Sequence, residues 1–175
     1  MSLWFGSFKS LIGPLTVAVN SEGTVKQLHF GEILVDEAIK DDQAIAHVRT
    51  QLDDYFAGGR RTFDLRLSPD GTEFQRAVWA GLLTIPFGQT LSYGALAERV
   101  GRPGAFRAVG AANGANPIPV IVPCHRVIGR DRTLTGFGGG IAAKAKLLAH
   151  EGVLARELVS GAMARTRVAE QARLI

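Results

Sequence analysis

Cys124 is the only cysteine in the 175 residues, and it lies between Pro123 and His125. A cysteine reacts as the thiolate, whose population rises with nearby positive charge. His125 and Arg126 follow the cysteine directly and raise the local positive potential. The alternative is an inert thiol, because a free cysteine flanked by valines usually packs as a small apolar side chain. The local pattern by itself leaves both interpretations open.

Direct contact between Cys124 and His125 needs a change in chain direction, because adjacent side chains on an extended strand point to opposite faces. The apolar run 119–123 is predicted to lead extended into the cysteine, and Pro123 ends it. A turn there would also direct its first free N–H groups toward a thiolate. We therefore predict a turn or a helix start at Cys124, or a water molecule that bridges the thiol and the imidazole.

The two parts of the chain that must position Cys124 and His125 differ in net charge. Residues 1–68 carry 7 Lys and Arg against 9 Asp and Glu, whereas residues 69–175 carry 13 against 7. All of the excess positive charge therefore lies in the second part. This distribution favours a surface that faces nucleic acid. A solubilising surface charge explains it equally well.

Composition excludes several classes of protein. An apolar fraction of 46% with 21% charged residues is typical of a globular chain and too apolar for intrinsic disorder. The sequence contains no run of about 18 apolar residues, so it predicts no membrane span. The first residues lack the pattern of a signal peptide. A single cysteine forms no internal disulfide and no multi-cysteine zinc ribbon. The single cysteine fits a reducing cytosol, so we expect a cytoplasmic protein.

The first third of the chain is predicted to form a small sheet with one helix. Residues 3–8, 15–19 and 25–30 are rich in β-branched and aromatic side chains and are separated by turn residues. Apolar side chains at spacings of three and four predict a helix over 42–56. The alternation over 63–67 predicts a further strand.

A mostly helical part is predicted after the segment 68–71 (SPDG). Thr72 and Ser92 are predicted to cap the first two helices of this part, and a third helix is predicted over 105–112. Two short helices joined by a glycine-containing turn are the helix-turn-helix pattern, which glycine-rich helix pairs also produce by chance. A last helix is predicted over 141–150, with Ile141, Leu147 and Leu148 buried.

Several segments carry a resemblance to one family. They are 121–128 (IVPCHRVI), 74–79 (FQRAVW), 85–88 (IPFG), 92–97 (SYGALA), 107–110 (RAVG), 116–117 (NP) and 147–151 (LLAHE). In this order and spacing they resemble the 6-O-alkylguanine-DNA alkyltransferases, also called methylated-DNA–protein-cysteine methyltransferases. The resemblance is close over residues 70–153 and loose before them. It favours a reactive Cys124 over an inert one.

The resemblance implies a two-domain fold. The N-terminal α/β domain, residues 1–68, would be RNase H-like, with a small sheet plus a helix. The C-terminal domain, residues 69–155, would be mostly α and winged-helix-like, with a helix-turn-helix that binds DNA. Residues 156–175 would form a C-terminal extension.

The resemblance also implies a reaction. Cys124 would take the alkyl group from O6 of guanine, or from O4 of thymine, and would keep it, so that each molecule acts once. His125 would deprotonate Cys124 through a water molecule, and Glu151 would orient His125. Asn116 would hydrogen-bond the backbone that holds the cysteine. No cofactor is implied, because attack of sulfur on an alkyl carbon needs none.

The partner implied by the resemblance is double-stranded DNA that contains alkylated guanine, bound through the minor groove by a monomer. The target nucleotide must leave the duplex, because its reactive atom is inaccessible inside it. Tyr93 would push the phosphate and donate a proton toward the leaving guanine, and Arg107 would fill the vacated stack. The other implied DNA contacts are Phe106, Ala108, Gly110 and Asn113. The implied alkylguanine pocket contains Pro119, Val127, Gly136, Phe137 and Gly138.

The chain departs from the family pattern in four places. Phe137 replaces a frequent tyrosine, and Gly138 replaces a larger residue such as serine, so we expect a roomier pocket. Phe106 replaces a small residue, and its ring either wedges into the groove or packs under the helix. Some members bind zinc through N-terminal Cys and His residues, but the only cysteine here is Cys124. His29 is therefore a poor ligand, and no metal is expected.

Two other functions compete with repair. A protein that binds alkylation damage without repairing it is one alternative, although relatives of that kind lack the cysteine. A cysteine hydrolase is the other, and such enzymes usually draw their histidine from a distant segment. No motif supports His29, His47 or His150 in that role.

Overall fold

The computed structural model describes residues 2–153, and its N-terminal part is a four-stranded sheet with one helix. The strands lie in the order β3-β2-β1-β4. β1 pairs antiparallel with β2 and parallel with β4, and β2 pairs antiparallel with β3. The elements are β1 Leu3–Ser10, β2 Gly13–Asn20, β3 Val25–Phe30, β4 Ala38–Lys40 and α1 Ala46–Phe56.

The C-terminal part is mostly helical. Its elements are α2 Glu73–Leu83, β5 Leu91–Ser92, α3 Tyr93–Arg99, α4 Phe106–Gly114, β6 Val127–Ile128 and α5 Ile141–His150, with β5 and β6 paired in parallel. Both predicted caps are confirmed. The Thr72 side chain accepts from the Gln75 N–H at 3.2 Å, and the Ser92 hydroxyl accepts from the Ala95 N–H at 3.1 Å. These bonds satisfy backbone donors that a helix start leaves free.

One apolar core joins the two parts. It runs from Leu15 and Val17 of β2, through Val48 and Leu52 of α1, to Leu82 of α2, all fully buried. The backbone is also tied across this junction. The Leu28 N–H of β3 donates to the Pro117 carbonyl at 2.8 Å, which brings the end of β3 beside the loop that follows α4.

Two predictions about strands are wrong. Residues 63–67 form no strand, and their only sheet-like contact is an isolated bridge between Leu67 and Val25. The alternation instead reflects Phe63, Leu65 and Leu67 packing on the shared core. The prediction also lacked β4. This edge strand has only three residues, which is too short to show an alternating pattern of apolar side chains.

Two further expectations fail near the cysteine and in α5. The run 119–123 is a turn and not an extended segment, because Val120 takes a positive φ of 73°. Ile141 is 43% exposed because it begins α5, whereas Leu147 and Leu148 are buried as expected. No helix of the described residues is long and apolar enough to span a membrane. The predicted extension 156–175 lies outside the described residues.

Candidate active site

Cys124 opens a short 3₁₀ helix, Cys124–Arg126, at the end of the turn that follows α4. The Asn116 side chain braces this turn. Its Nδ2 donates to the Val122 carbonyl at 2.9 Å, and its Oδ1 accepts from the Ile118 N–H at 3.0 Å. Because one amide satisfies both a donor and an acceptor of the backbone, the turn is held in a single shape. Cys124 itself is only 4% exposed.

His125 points into the protein and contacts the end of α5. Its side chain is fully buried, and its Nε2 lies 2.8 Å from Glu151 Oε1. An ionised carboxylate only accepts hydrogen bonds, so the network assigns the proton of the neutral imidazole to Nε2. Nδ1 is then a buried acceptor without a partner among residues 2–153. This arrangement can take up a proton at Nδ1 and share the resulting charge with Glu151.

Glu151 is the centre of a buried polar network. Oε1 accepts from His125 Nε2, from Arg126 Nη2 at 2.9 Å and from the Tyr55 hydroxyl at 2.7 Å. Oε2 accepts from Arg126 Nε at 2.8 Å and from the Gly88 N–H at 3.1 Å. A buried carboxylate is stable only when it is paired and fully hydrogen-bonded, and these donors meet that need.

A cavity of about 360 Å³ reaches Cys124, and none of the residues of this network lines it. Of the five residues predicted for the alkylguanine pocket, Pro119, Gly136, Phe137 and Gly138 line it. Val127 does not, because its side chain is fully buried in the core. The N-terminal part supplies a wall that the sequence did not predict, formed by Leu28, His29, Phe30 and Ile33.

Helix α4 contributes Asn113 and Gly114 to this cavity and presents two different faces. Phe106 is 51% exposed, Arg107 and Ala108 are also exposed, and Gly110 is half-buried. Phe106 therefore does not pack beneath the helix, and the Arg107 guanidinium lies 5.7 Å from its ring centre.

Asn113, which the sequence predicted as a DNA contact, lies on the other face of α4. It is only 3% exposed and lines the cavity beside Cys124, so it is not part of the outer face. Tyr93, at the start of α3, is half-buried, and its hydroxyl donates to the Thr135 carbonyl at 3.3 Å. Tyr93 therefore joins α3 to the loop between β6 and α5.

Comparison with known proteins identifies the family. Residues 73–153 match the domain described as "6-O-methylguanine DNA methyltransferase, DNA binding domain". Residues 3–69 match the domain described as "6-O-methylguanine DNA methyltransferase, ribonuclease-like domain". The chain belongs to the 6-O-methylguanine DNA methyltransferase family. Its two parts are therefore the ribonuclease-like and the DNA-binding domain of that fold.

Relatives of this methyltransferase family cover most of the chain. The methylated-DNA–protein-cysteine methyltransferase of Methanosarcina acetivorans is 43% identical over 155 residues, which is 86% of this chain and 99% of the relative. The one of Mycobacterium tuberculosis is 47% identical over 148 residues, covering 82% and 89%. A crystal structure of the M. tuberculosis O6-methylguanine methyltransferase superposes with a TM-score of 0.80 at 46% identity, covering 85% and 92%. Another shows that organism's OGT in complex with DNA, with the same TM-score and identity.

In this family member, burial and hydrogen bonding have opposite effects on the pKa of Glu151 and on that of His125. Burial disfavours the charged form of Glu151, but the donors on His125 and Arg126 outweigh it and lower the pKa of the carboxyl well below its usual value. Burial lowers the pKa of His125, and the hydrogen bond to Glu151 only partly offsets it. At neutral pH Glu151 is therefore ionised, and His125 is a neutral base.

The nucleophile faces a cation that the sequence did not reveal. Burial raises the pKa of the Cys124 thiol to about 11, while the hydrogen bond with Asn116 and the charge of Lys144 act in the opposite direction. Lys144 is fully buried on α5, and burial lowers its pKa to about 8. Its Nζ donates to the Val127 carbonyl at 2.6 Å and to the Thr135 carbonyl at 2.8 Å. A thiol with so high a pKa needs a base before it can react.

Sequence reasoning missed Tyr55, Lys144 and Phe30, and for two of them a weak signal exists. Lys144 lies three and four positions before Leu147 and Leu148, on the face of α5 that is buried. Tyr55 belongs to the apolar stripe of α1, where only its hydroxyl distinguishes it from a core residue. Phe30 has no local signal. No group of three or more potential metal ligands is present in the described part of the chain.

Proposed function

We propose that this chain transfers an alkyl group from O6 of guanine, and from O4 of thymine, in DNA to its own Cys124. The observation that carries the proposal is the position of Cys124. Cys124 lines the cavity, and it directly precedes His125, which is paired with the buried Glu151. Cavities of this size accommodate small organic ligands such as a single base with its adduct. Membership of a family of DNA methyltransferases supports the same reaction.

The reaction is a displacement at the alkyl carbon. The Cys124 thiol passes its proton through a bridging water to Nδ1 of His125, whose positive charge Glu151 then balances. The sulfur forms a bond to the alkyl carbon as the bond from that carbon to O6 breaks. The guanine leaves with the electron pair and takes up a proton from the Tyr93 hydroxyl, which recovers one from solvent. The thioether is stable, so each molecule reacts once.

The cavity side supplies groups that can read the base. The carbonyls of Cys124 and Val127 accept from the exocyclic amine of guanine, and backbone N–H groups of the 136–138 loop face O6. The Val127 carbonyl already accepts from Lys144, but a carbonyl oxygen has a second lone pair. Asn113 lies within this pocket and not in the groove.

The outer face of α4 is proposed to contact DNA. Helices α3 and α4 act as a helix-turn-helix, α4 enters the minor groove, and a monomer suffices. Arg107 fills the space left by the flipped nucleotide, and the exposed Phe106 ring wedges beside it. Minor-groove binding reads sequence only weakly, which suits an enzyme that must act in any sequence context.

The test is intact-protein mass after mixing with duplex DNA that contains O6-methylguanine. We expect one added methyl group per molecule in the wild type and none in Cys124→Ser, with DNA binding retained in both. Because the chain contains a single cysteine, peptide mapping assigns the methyl without ambiguity. Wild-type protein that binds the lesion but gains no mass would contradict the proposal and would identify a lesion-binding protein.

A further inference from the structure

Tyr55 is the only group of the N-terminal domain whose side chain reaches the Glu151 carboxylate in the described structure. Its hydroxyl donates to Glu151 Oε1 at 2.7 Å, and this is the oxygen that also accepts from His125 Nε2. The hydroxyl is fully buried and belongs to α1, 96 residues away in sequence. A residue of the ribonuclease-like domain is therefore hydrogen-bonded to the carboxylate of the proposed proton relay, which we define as Cys124, the bridging water, His125 and Glu151.

Tyr55 is held in this position by two further sets of contacts. His150 Nε2 lies 2.6 Å from the Tyr55 carbonyl, so the His150 side chain of α5 also holds the backbone of Tyr55. The rings of His150, Phe63 and Phe87 surround the phenol, with ring centres 4.9, 5.4 and 6.0 Å away. The phenol has little freedom to choose another partner.

We propose that Tyr55 is a positioning residue of the relay, and that its hydroxyl sets how strongly His125 binds a proton. The inference rests on the proposed role of His125 as the base for Cys124. Oε1 accepts from His125, Arg126 and Tyr55, and the hydrogen bond from Tyr55 leaves less of its charge to stabilise a protonated His125. Tyr55 thereby keeps His125 neutral and ready to accept the thiol proton.

The other charges near this pair, Arg126 and Lys144, lower the pKa of His125, and they stay constant when only the hydroxyl is removed. Arg126 makes two hydrogen bonds to the carboxylate, and its charge lowers the pKa of His125. Lys144 lowers it as well. The titratable and charged groups that face the pair are Cys124 and Arg126 from the 3₁₀ helix, Lys144 and His150 from α5, and Tyr55 from α1.

The experiment measures the rate at which iodoacetamide alkylates the single cysteine between pH 4.5 and pH 9. This reagent reacts with the thiolate and needs no DNA, so the result does not depend on nucleotide flipping or on alkyl transfer. In Tyr55→Phe we expect the acid limb of the profile to move upward by about 0.5–1 pH unit, because His125 becomes more basic. An unchanged limb in a folded Tyr55→Phe protein overturns the proposal.

Two controls separate positioning from packing and from the proposed function. Phe63→Leu removes a ring contact with Tyr55 but no hydrogen bond to the relay, so it should lower stability without moving the acid limb. His125→Asn should abolish the limb. A limb that persists in His125→Asn contradicts the proposed base, and it does so independently of Tyr55.

A second probe covers the case in which Tyr55→Phe does not fold. The chain contains only two tyrosines, so in a Tyr93→Phe background 3-fluorotyrosine is incorporated at Tyr55 alone. Fluorine makes the hydroxyl a stronger donor, and we expect the acid limb to move to lower pH. No movement, or a movement to higher pH, overturns the proposal.

Discussion

The two sides of Cys124 are built differently. Behind it, Glu151, His125, Arg126 and Lys144 are charged or titratable, nearly or fully buried, and joined to each other or to backbone carbonyls. In front of it, the cavity is lined mostly by glycines, prolines and apolar side chains, with His29, Asn113 and Asn116 as its polar members, and the outer face of α4 is exposed. We call these the relay side and the cavity side.

This difference separates two requirements of the reaction. Charges that must act on the thiol are fixed in a low-dielectric interior, where they interact strongly and need no rearrangement. Groups that meet the substrate are small or exposed, so that bases with different adducts can enter. Substitutions on the relay side should therefore alter both stability and the reactivity of the thiol. Those on the cavity side should alter reactions with substrate, and they should leave stability nearly unchanged unless the new side chain overlaps a neighbour.

The largest effect is expected from Glu151→Gln. The change keeps the shape of the side chain but leaves the Arg126 charge buried without a counter-charge, which costs about 3–5 kcal/mol in the free energy of unfolding. Urea denaturation measures the loss. Glu98→Gln on the exposed face of α3 is the matched control, and we expect it to stay within about 0.5 kcal/mol of wild type. Equal losses in the two variants would contradict a special cost for leaving the buried Arg126 charge unpaired.

Lys144→Met should have the next largest effect. It leaves the Val127 and Thr135 carbonyls without this donor and costs about 1–3 kcal/mol. It also removes a charge that lowers the pKa of His125, so the acid limb of the iodoacetamide profile should move to higher pH. Lys146→Met, on the exposed face of the same helix, should change neither quantity. An acid limb at the wild-type pH would show that Lys144 serves only the backbone.

On the cavity side, two adjacent glycines give a sharper comparison. A Cβ at Gly139 would lie 2.8 Å from the Phe30 ring, whereas one at Gly138 would meet that ring at an ordinary 3.8 Å. Gly139→Ala should therefore displace the loop, slow the reaction with free O6-benzylguanine and cost about 1–3 kcal/mol, while Gly138→Ala should be tolerated. Adding Phe30→Ala to Gly139→Ala should restore the loop, and failure of this rescue would locate the strain elsewhere.

The smallest effect on stability is expected on the outer face of α4. Arg107→Ala and Phe106→Ala should each change the free energy of unfolding by no more than about 0.5 kcal/mol, because both side chains are exposed. Repair of duplex DNA should nevertheless fall, while reaction with the free base O6-benzylguanine stays near wild type. Equal losses on both substrates would argue against a role of this face in nucleotide flipping.

Local signals were sufficient for much of the fold. Thr72 and Ser92 were recognised as caps because a capping side chain acts on backbone donors within three residues. Periodicity located α1, although the structure starts it at Ala46 and not at residue 42. The wrong predictions arose where one sequence pattern is compatible with two different structures. The alternation over 63–67 reflects packing without strand pairing, and the valine-rich run before Cys124 contains a residue with positive φ.

The sequence by itself determined the single cysteine, the adjacent histidine, the domain order and the family, because these depend on residue types and short spacings. Only the tertiary structure decided which groups act on the relay. Tyr55 and Glu151 are 96 residues apart, and Phe30 meets Phe137 with ring centres 5.2 Å apart across the two domains. Such contacts depend on how α1 and β3 pack against the C-terminal domain. That packing is set by burial of the whole shared core, and no short segment of the sequence predicts it.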